Sequence, residues 1–260
     1  MDILLVIAAI WLIAASFTDL KNREVANWLS FSLLTIALIV RASESIIAWD
    51  LTPLTTSLIG LSIFFIIANL LYYGKVFAGG DAKLLIALGA VIPGTAFLSN
   101  ILITGSFYGL FYSLVLAIVY RKSFVKKLKD QTVNPSYLMI VLLAFFVLGI
   151  IFEITILYLF AAAAFFIYII HLFVRTVEKS CLIKLVSPSE LTEGDWLYKN
   201  VRLKNKVIKA GFAGLNKREI SLIRKANKKV YIKYGIPFIP VFLIAFLITI
   251  FFDNLFLYLI

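Results

Sequence analysis

The sequence predicts an α-helical polytopic membrane protein of about eight transmembrane helices, with six or seven as alternatives, and a small cytoplasmic α+β insert. Apolar residues make up 62% of the 260 residues, well above the roughly 45–50% of a soluble domain. Charged residues make up only 15%. Because a span needs about 20 residues, the apolar content is enough for roughly eight spans. A water-soluble globular protein is therefore excluded.

Eight apolar segments follow one another along the chain. The first lacks the basic residues that precede the apolar core of a signal peptide, so we interpret it as a retained span. Glu153 separates the sixth segment from the seventh, and we expect it at a turn near the membrane surface, since a charge at mid-bilayer costs about 3 kcal/mol. One long helix over 137–174 is the alternative. The segments are 3–18, 28–40, 54–73, 84–98, 101–120, 137–152, 154–174 and 236–252.

The distribution of basic residues predicts the orientation. The net charge is +11, and in a membrane protein a basic excess first indicates cytoplasmic loops. With the N-terminus outside and all eight spans present, 24 of the 25 Lys and Arg residues lie inside and only Arg41 lies outside. We therefore predict a multi-pass protein of the cytoplasmic membrane that contacts membrane lipids and binds no nucleic acid.

The segment 175–233 is the part of the sequence that resembles a soluble domain. Residues 197–209 alternate like a short hairpin, and Asn216 with Glu219 three residues later is typical of a helix start. The predicted domains are a membrane helical domain over 1–174, this basic cytoplasmic insert over 175–233, and a final transmembrane helix over 234–260. The charge of the insert predicts either a face attracted to anionic lipid or a docking surface for a partner.

Cysteine and histidine are too scarce for most catalytic sites. Cys181 and His171 are each alone of their type, which excludes an internal disulfide, cysteine-clustered zinc or iron–sulfur sites, and multi-histidine metal sites. We also find no Ser-His or Cys-His base for nucleophilic catalysis. No metal and no cofactor is expected, and the available chemistry is that of carboxylates.

Two aspartates lie at the cytoplasmic ends of predicted spans. Asp19 closes the first span and Asp81 opens the fourth, so the topology places both at one depth. Two carboxyls that share one proton can hydrolyse a peptide bond, one as base toward water and the other as acid toward the carbonyl, because like charges so close cannot both ionise. Gly79 and Gly80 before Asp81 permit unusual backbone angles and let an extended peptide come close.

These residues also have ordinary structural interpretations. Asp81 could cap the N-terminus of the fourth span. Asp19 could pair with Lys21 or Arg23 at the membrane interface. Lys83 could be an anchor at the membrane surface instead of a catalytic group.

The run GGDAKLLIALGAVIP over 79–93 and the earlier run DLKNREVANW over 19–28 together resemble the type IV prepilin peptidase family, most closely its archaeal branch, the preflagellin peptidases. The single late insert, followed by a span that opens with GIPFIP, extends the resemblance. It implies a GxGD-type intramembrane aspartyl protease in which Asp19 and Asp81 are the catalytic pair. Gly79 and Gly80 are then the flexible approach, with Lys83 in the same motif. The chain departs from a strict GxGD pattern by having alanine at position 78.

The resemblance also implies a substrate, the precursor of a type IV pilin-like or archaellin subunit. Such a precursor carries a short basic leader in the cytoplasm ahead of a long apolar helix, and cleavage between the two fits the predicted side of both aspartates. Bacterial members commonly add N-methylation with a cysteine-bound zinc insert. With one cysteine, this chain is predicted to be a peptidase without methylation.

The sequence leaves three other functions to consider. A presenilin or signal-peptide-peptidase relative would have Tyr before the first aspartate and Pro-Ala-Leu near the C-terminus, where this chain has Thr18 and GIPFIP. A proton- or cation-coupled transporter could use Asp19 and Asp81, although transporters usually hold ionisable groups near the midplane. A structural assembly protein is the third, and no motif in the sequence favours it.

Overall fold

The computed structural model describes residues 2–74, 76–132, 137–203, 207–211 and 214–258. Lys75, one of the predicted inner basic residues, lies outside the described residues. The described chain is mostly helical, with two small sheets. Its helices are α1 (Ile3–Asn22), α2 (Asn27–Ala48), α3 (Thr52–Tyr73), α4 (Gly79–Val91), α5 (Thr95–Val119), α6 (Arg121–Thr132), α7 (Tyr137–Ile151), α8 (Thr155–Val177), α9 (Lys217–Lys225) and α10 (Ile239–Phe252). Its strands are β1 (Ile183–Val186), β2 (Trp196–Leu197), β3 (Val201–Arg202), β4 (Val207–Ile208) and β5 (Val230–Lys233).

Eight of these helices coincide with the predicted apolar segments. Five of them, α1, α2, α3, α5 and α8, are long and apolar enough to cross a membrane. The apolar helices α4, α7 and α10 have 13, 15 and 14 residues. At 1.5 Å per residue they are about 20 Å long, less than the roughly 30 Å of a bilayer's hydrocarbon core. The chain is thus that of a polytopic α-helical membrane protein.

The sequence predicted the boundary between α7 and α8 correctly and the boundary between α4 and α5 incorrectly. α4 ends at Val91 and α5 begins at Thr95, so the predicted span 84–98 is wrong in its second half. Pro93 and Gly94 lie between the two helices, and proline has no N–H with which to continue a helix. The predicted turn at Glu153 is confirmed: this residue has a φ of 55° and separates α7 from α8. The single long helix over 137–174 is therefore wrong.

The chain forms two compact units. One holds residues 1–110 and 236–260, the other holds residues 111–235, and α5 extends from the first into the second. The predicted division into three domains stays a prediction.

In the first unit, α4 packs against α3, α2 and α1. Gly60 of α3 lies against the backbone carbonyl of Gly89, and a Cβ at Gly89 would stand 2.6 Å from Cγ of Phe64. The Ser57 hydroxyl donates to the carbonyl oxygen of Ala90 at 2.7 Å. Small residues of this kind let helix backbones approach in a bilayer, where no hydrophobic effect drives helices together. These contacts hold α4 closely against α3.

The last helix, α10, packs along α1. The C-terminal end of α10 is hydrogen-bonded to α5. The side-chain amide of Asn100, which is fully buried, donates to Thr249 Oγ1 at 2.9 Å and to the carbonyl oxygen of Asp253 at 2.6 Å. Its Oδ1 accepts from the N–H of Leu255 at 3.0 Å. The buried amide thus satisfies polar groups at the end of α10.

The second unit contains α6, the helices α7 and α8, and the small α+β insert. Its three-stranded antiparallel sheet has the order β1, β5, β2, and β3 pairs with β4. The predicted hairpin is the β3–β4 pair, in which Val201 faces Ile208. The predicted helix start is also confirmed, because Asn216 Oδ1 accepts from the Glu219 N–H at 2.9 Å and Glu219 Oε2 accepts from the Asn216 N–H at 3.1 Å. The basic stretch Arg121–Thr132, expected as a loop, is the helix α6.

Candidate active site

Asp19 lies in the last turn of α1 and is only 4% exposed. Its Oδ2 accepts a hydrogen bond from the backbone N–H of Ile239 at 2.9 Å. Ile239 begins α10, and that helix has no capping side chain of its own. Because the first N–H groups of a helix have no partner within the helix, Asp19 supplies the cap from a different part of the chain. Arg23 lies within electrostatic range of Asp19.

Asp81 is the third residue of α4, ahead of the apolar stretch of that helix. Its Oδ2 accepts from the N–H of Ala78 at 3.2 Å, so it caps its own helix, as the structural interpretation of the sequence foresaw. Ala78 has a φ of −73° and a ψ of 163°. This is extended backbone that any residue adopts. The alanine at the first position of the motif therefore causes no backbone strain.

Gly79 and Gly80 form the first turn of α4. Neither has a positive φ, so the predicted unusual backbone angles are wrong, because a regular helical turn accommodates both residues. At Gly80 the absence of a side chain makes room: a Cβ there would lie 3.2 Å from Cβ of Val25. The glycine thus lets the segment between α1 and α2 pack closely on the start of α4. The predicted approach of an extended peptide stays a prediction.

Lys83 links α4 to the first turn of α2. Its Nζ donates to Oδ1 of Asn27 at 2.8 Å and lies 6.0 Å from the ring centroid of Phe31. Neither interpretation of the sequence foresaw this contact.

The start of α10 connects the two segments that carry the aspartates. Asp19 bonds to Ile239. Phe77, four residues before Asp81, packs against the rings of Phe238 and Phe242, with centroids 5.1 Å and 5.7 Å away. The structure thus brings the C-terminal end of α1 and the N-terminal end of α4 to the same end of the first unit.

The electrostatics of Asp81 reflect this arrangement. Burial, and then the negative charge of Asp19, raise the pKa of Asp81 to about 7, against the smaller opposing effect of the Ala78 N–H. An aspartate in water has a pKa of about 3.9. At neutral pH Asp81 therefore holds a proton far more often than an aspartate in water does. A carboxyl pair that holds a single proton can provide an acid and a base at once.

Three residues of this region escaped the sequence analysis: Ile239, Phe77 and Phe238. A hydrogen bond from a main-chain N–H to a carboxyl far away in the sequence cannot be predicted from a pattern of side chains. The one available signal was proline at position 240, since proline is favoured in the first turn of a helix and so marks where α10 begins.

The fold and the site define a class: a polytopic helical membrane protein with a buried carboxyl, Asp19, and a partly buried one, Asp81, at one end of its helices. Residues 6–122, which include both aspartates, match the sequence profile of the type IV leader peptidase family. This part of the chain is similar to that family.

Three preflagellin peptidases are similar to the chain. That of Methanococcus voltae is 33% identical over 91 residues, 35% of this chain and 39% of that protein. That of Methanocaldococcus jannaschii is 34% identical over 88 residues, 34% of this chain and 37% of that protein. That of Methanococcus maripaludis is 33% identical over 88 residues, 34% and 38% of the two chains. The matched part spans less than two thirds of each relative. The resemblance to the archaeal branch is confirmed over this part.

Proposed function

We propose that this protein is a membrane-embedded aspartyl endopeptidase that removes the short basic leader of prepilin-like or prearchaellin-like precursors at the cytoplasmic membrane face. One observation carries the proposal: Asp19 and Asp81, distant in sequence, lie at one end of the first unit within electrostatic range of each other. The family of residues 6–122 and the printed names of the three relatives support a leader peptidase.

In the proposed reaction the two carboxyls share one proton and activate one water. Asp19, which already accepts an N–H, is the base that takes a proton from the water as its oxygen attacks the scissile carbonyl carbon. Asp81 is the acid that donates its proton to the carbonyl oxygen. Asp19 then passes its proton to the amide nitrogen while Asp81 takes a proton back from a hydroxyl of the diol. The carbon–nitrogen bond breaks to give a carboxylic acid and an amine, and the pair again holds one proton. No covalent intermediate forms.

The proposed topology places the site where such a substrate presents its cleavage point. With eight spans and the N-terminus outside, the ends of α1 and α4 that carry the aspartates face the cytoplasm. The apolar helix of the precursor would lie in the bilayer, and only the scissile segment would unwind at the surface, where water is present. Glu24, which is exposed just beyond α1, provides a carboxyl outside the pair as a control.

A cleavage assay tests the chemistry. Membranes that contain the wild type, Asp19→Ala, Asp81→Ala or the control Glu24→Ala are incubated with a prepilin-like precursor. We expect either aspartate variant to abolish cleavage and the control to retain it. Asp→Asn at either site should be nearly as damaging, because an amide cannot exchange the proton. Full activity in either single aspartate variant would reject the pair.

Product analysis tests the absence of methylation. The mass of the new N-terminus formed by the purified protein should be that of the unmodified amine. A methylated product made by this protein alone would contradict the proposal.

Cysteine labelling tests the orientation. In a Cys181→Ala background, single cysteines are placed by Glu24→Cys and Asp50→Cys, two exposed positions on either side of α2. A membrane-impermeant maleimide should label the second position in intact cells and the first only after lysis. The reverse pattern would place the aspartates outside.

A further inference from the structure

The start of α10 contacts the chain on both sides of the carboxyl pair. The Ile239 N–H holds Oδ2 of Asp19 in a fully buried hydrogen bond. The rings of Phe238 and Phe242 pack on each other, with centroids 5.6 Å apart, and both pack on Phe77 just ahead of α4. Segments far apart in the sequence thus meet at one helix end.

We propose that the start of α10 is the positioning element of the active site: Ile239 orients the Asp19 carboxyl, and Phe238 with Phe242 sets the place of the segment that carries Asp81. The inference rests on the proposed peptidase function and adds residues to it that no motif contains. The N–H groups of Ile239 and Phe238 both act on the Asp19 carboxyl, so the start of α10 orients the group that takes the proton from water. Holding a catalytic group in one orientation removes the entropic cost of finding it at each turnover.

The chemistry of the helix start suits this role. Pro240, the second residue of α10, has no N–H, and the residue before the helix offers no side-chain cap. The Ile239 N–H is therefore a donor that needs an acceptor from elsewhere. Ile239 is fully buried, so leaving its N–H without a partner would be costly. The hydrogen bond to Ile239 consequently fixes the position of the Asp19 carboxyl.

The helix α10, whose first N–H group binds Asp19, is itself held in place at both ends. Asn100 fastens the C-terminal end of α10 to α5. At the other end, Gly105 of α5 leaves room for Phe238, since a Cβ at Gly105 would lie 3.0 Å from Cζ of that ring. Gly109, one turn further along α5, would place a Cβ with nothing within 4 Å. The two glycines make a matched pair for an experiment.

The first test compares Gly105→Ala with Gly109→Ala in the cleavage assay. The methyl group at position 105 pushes on Phe238 and so displaces the contact with Phe77. We expect kcat to fall about three- to tenfold with KM unchanged, because misplacement of catalytic groups affects turnover. Gly109→Ala should match the wild type. Wild-type kcat in Gly105→Ala, or equal losses in both variants, would overturn the role of the ring contact.

The second test removes single N–H groups by incorporating the α-hydroxy analogue of a residue, which replaces its backbone amide with an ester. An ester at position 239 deletes the 2.9 Å donor to Asp19 Oδ2 and leaves the weaker interaction with the Phe238 N–H in place. The matched control is an ester at position 241, because the Val241 N–H donates within the same helix start to the Phe238 carbonyl at 3.0 Å. We expect kcat to fall about tenfold or more with the first ester and KM to stay constant, whereas the second retains most of the activity.

The two esters distinguish a specific role of the Ile239 N–H in positioning Asp19 from a general destabilisation of α10. Equal kcat losses for the two esters, or wild-type kcat with the ester at 239, would overturn the positioning role while leaving the peptidase intact. A wild type that cleaves no precursor would contradict the proposed function instead. In that case thermal unfolding still tests the hydrogen bond between Ile239 and Asp19. Asp19→Asn keeps an acceptor oxygen and should unfold at a higher temperature than Asp19→Ala. Equal melting temperatures of the two variants would overturn the inference.

Discussion

The ammonium group of Lys83 donates a hydrogen bond to the side-chain oxygen of Asn27, and this 2.8 Å contact ties the first turns of α4 and α2 together. Lys83 follows Asp81 by two residues, so its contact bears on how the start of α4 is held. The contact itself is structural. It can be tested separately from the chemistry of the aspartates.

We expect Lys83→Met to lower the free energy of unfolding by only about 0.5 kcal/mol, because the bond is exposed, and to leave cleavage within about threefold of the wild type. A general acid or base would contribute about a hundredfold or more. Melting temperature and kcat measure the two effects. In the background Asn27→Ala, the same substitution should cost less stability, since its partner is already gone. A loss of activity on the scale of the Asp81 variants would show that Lys83 takes part in catalysis.

The raised pKa of Asp81 predicts how stability and activity change with pH. Burial and the charge of Asp19 raise the pKa of Asp81 to about 7, whereas the unfolded chain has an aspartate pKa of about 3.9. The folded state therefore binds the proton more tightly, and the resulting stabilisation is complete below about pH 4 and lost as the pH rises through about 7. Cleavage should also decline above pH 7, because the pair loses its one proton.

Melting temperatures and cleavage rates between pH 5 and pH 8 check this. Asp81→Asn should remove part of the stability loss at high pH, and it should be more stable than the wild type at pH 8. Asp130→Asn is the matched control, because Asp130 is exposed and its ion pair with Lys127 is 3.6 Å long. An identical pH dependence in the wild type and Asp81→Asn would contradict the role of this group.

The close contact of α3 and α4 predicts a cost for any side chain at Gly89. In Gly89→Ala the new Cβ would stand 2.5 Å from Cβ of Phe64 and 2.9 Å from the Gly60 carbonyl oxygen. We expect the helices to separate and the free energy of unfolding to fall by about 1–3 kcal/mol. Gly94→Ala, whose Cβ would have nothing within 4 Å, is the control. Thermal unfolding in detergent measures both, and equal melting temperatures would show that α3 and α4 are not tightly packed there.

The buried amide of Asn100 predicts a large effect at the other end of α10. Asn100→Leu leaves the carbonyl oxygen of Asp253 and the N–H of Leu255 without their partner. Because both hydrogen bonds are partly buried, we expect a total cost of about 1–3 kcal/mol. Asn69→Ala provides the comparison, because the amide of Asn69 is exposed and donates only to the Phe65 carbonyl within its own helix. The difference should appear in thermal unfolding. A melting temperature for Asn100→Leu as high as that of Asn69→Ala would contradict the structural role of the amide.

The sequence predicted the apolar helices well because hydropathy is a local property of the chain. It also predicted the turn at Glu153 and the capped start of α9, since both depend on residues close in sequence. It misplaced the boundary between α4 and α5, where Pro93 and Gly94 end one helix before the apolar residues run out. The helix α6 was missed because its charge suggested a loop, although Phe124 and Leu128 lie four residues apart, the spacing of one helix face.

Some features of the candidate site could likewise be predicted from the sequence, and others could not. The two aspartates could be selected from the sequence by their shared predicted membrane side and by the resemblance of their motifs to the type IV prepilin peptidase family. Their place at span ends was not enough, since Asp50 and Glu153 also lie at the ends of apolar segments. The backbone angles of Gly79 and Gly80 could not, since a glycine pair permits both helical and unusual conformations and its neighbours decide between them. The contact of Lys83 with Asn27 was equally hidden, because it joins two helices whose packing no local pattern specifies.

The sequence by itself therefore determined a helical membrane protein and the two acidic residues at the ends of its first and fourth apolar helices. Only the tertiary structure decided that the start of α10 holds Asp19 by a main-chain N–H and contacts Phe77 ahead of Asp81. The physical reason is that hydropathy and capping preferences act over a few residues. A hydrogen bond between α1 and α10 depends instead on how the whole set of helices packs.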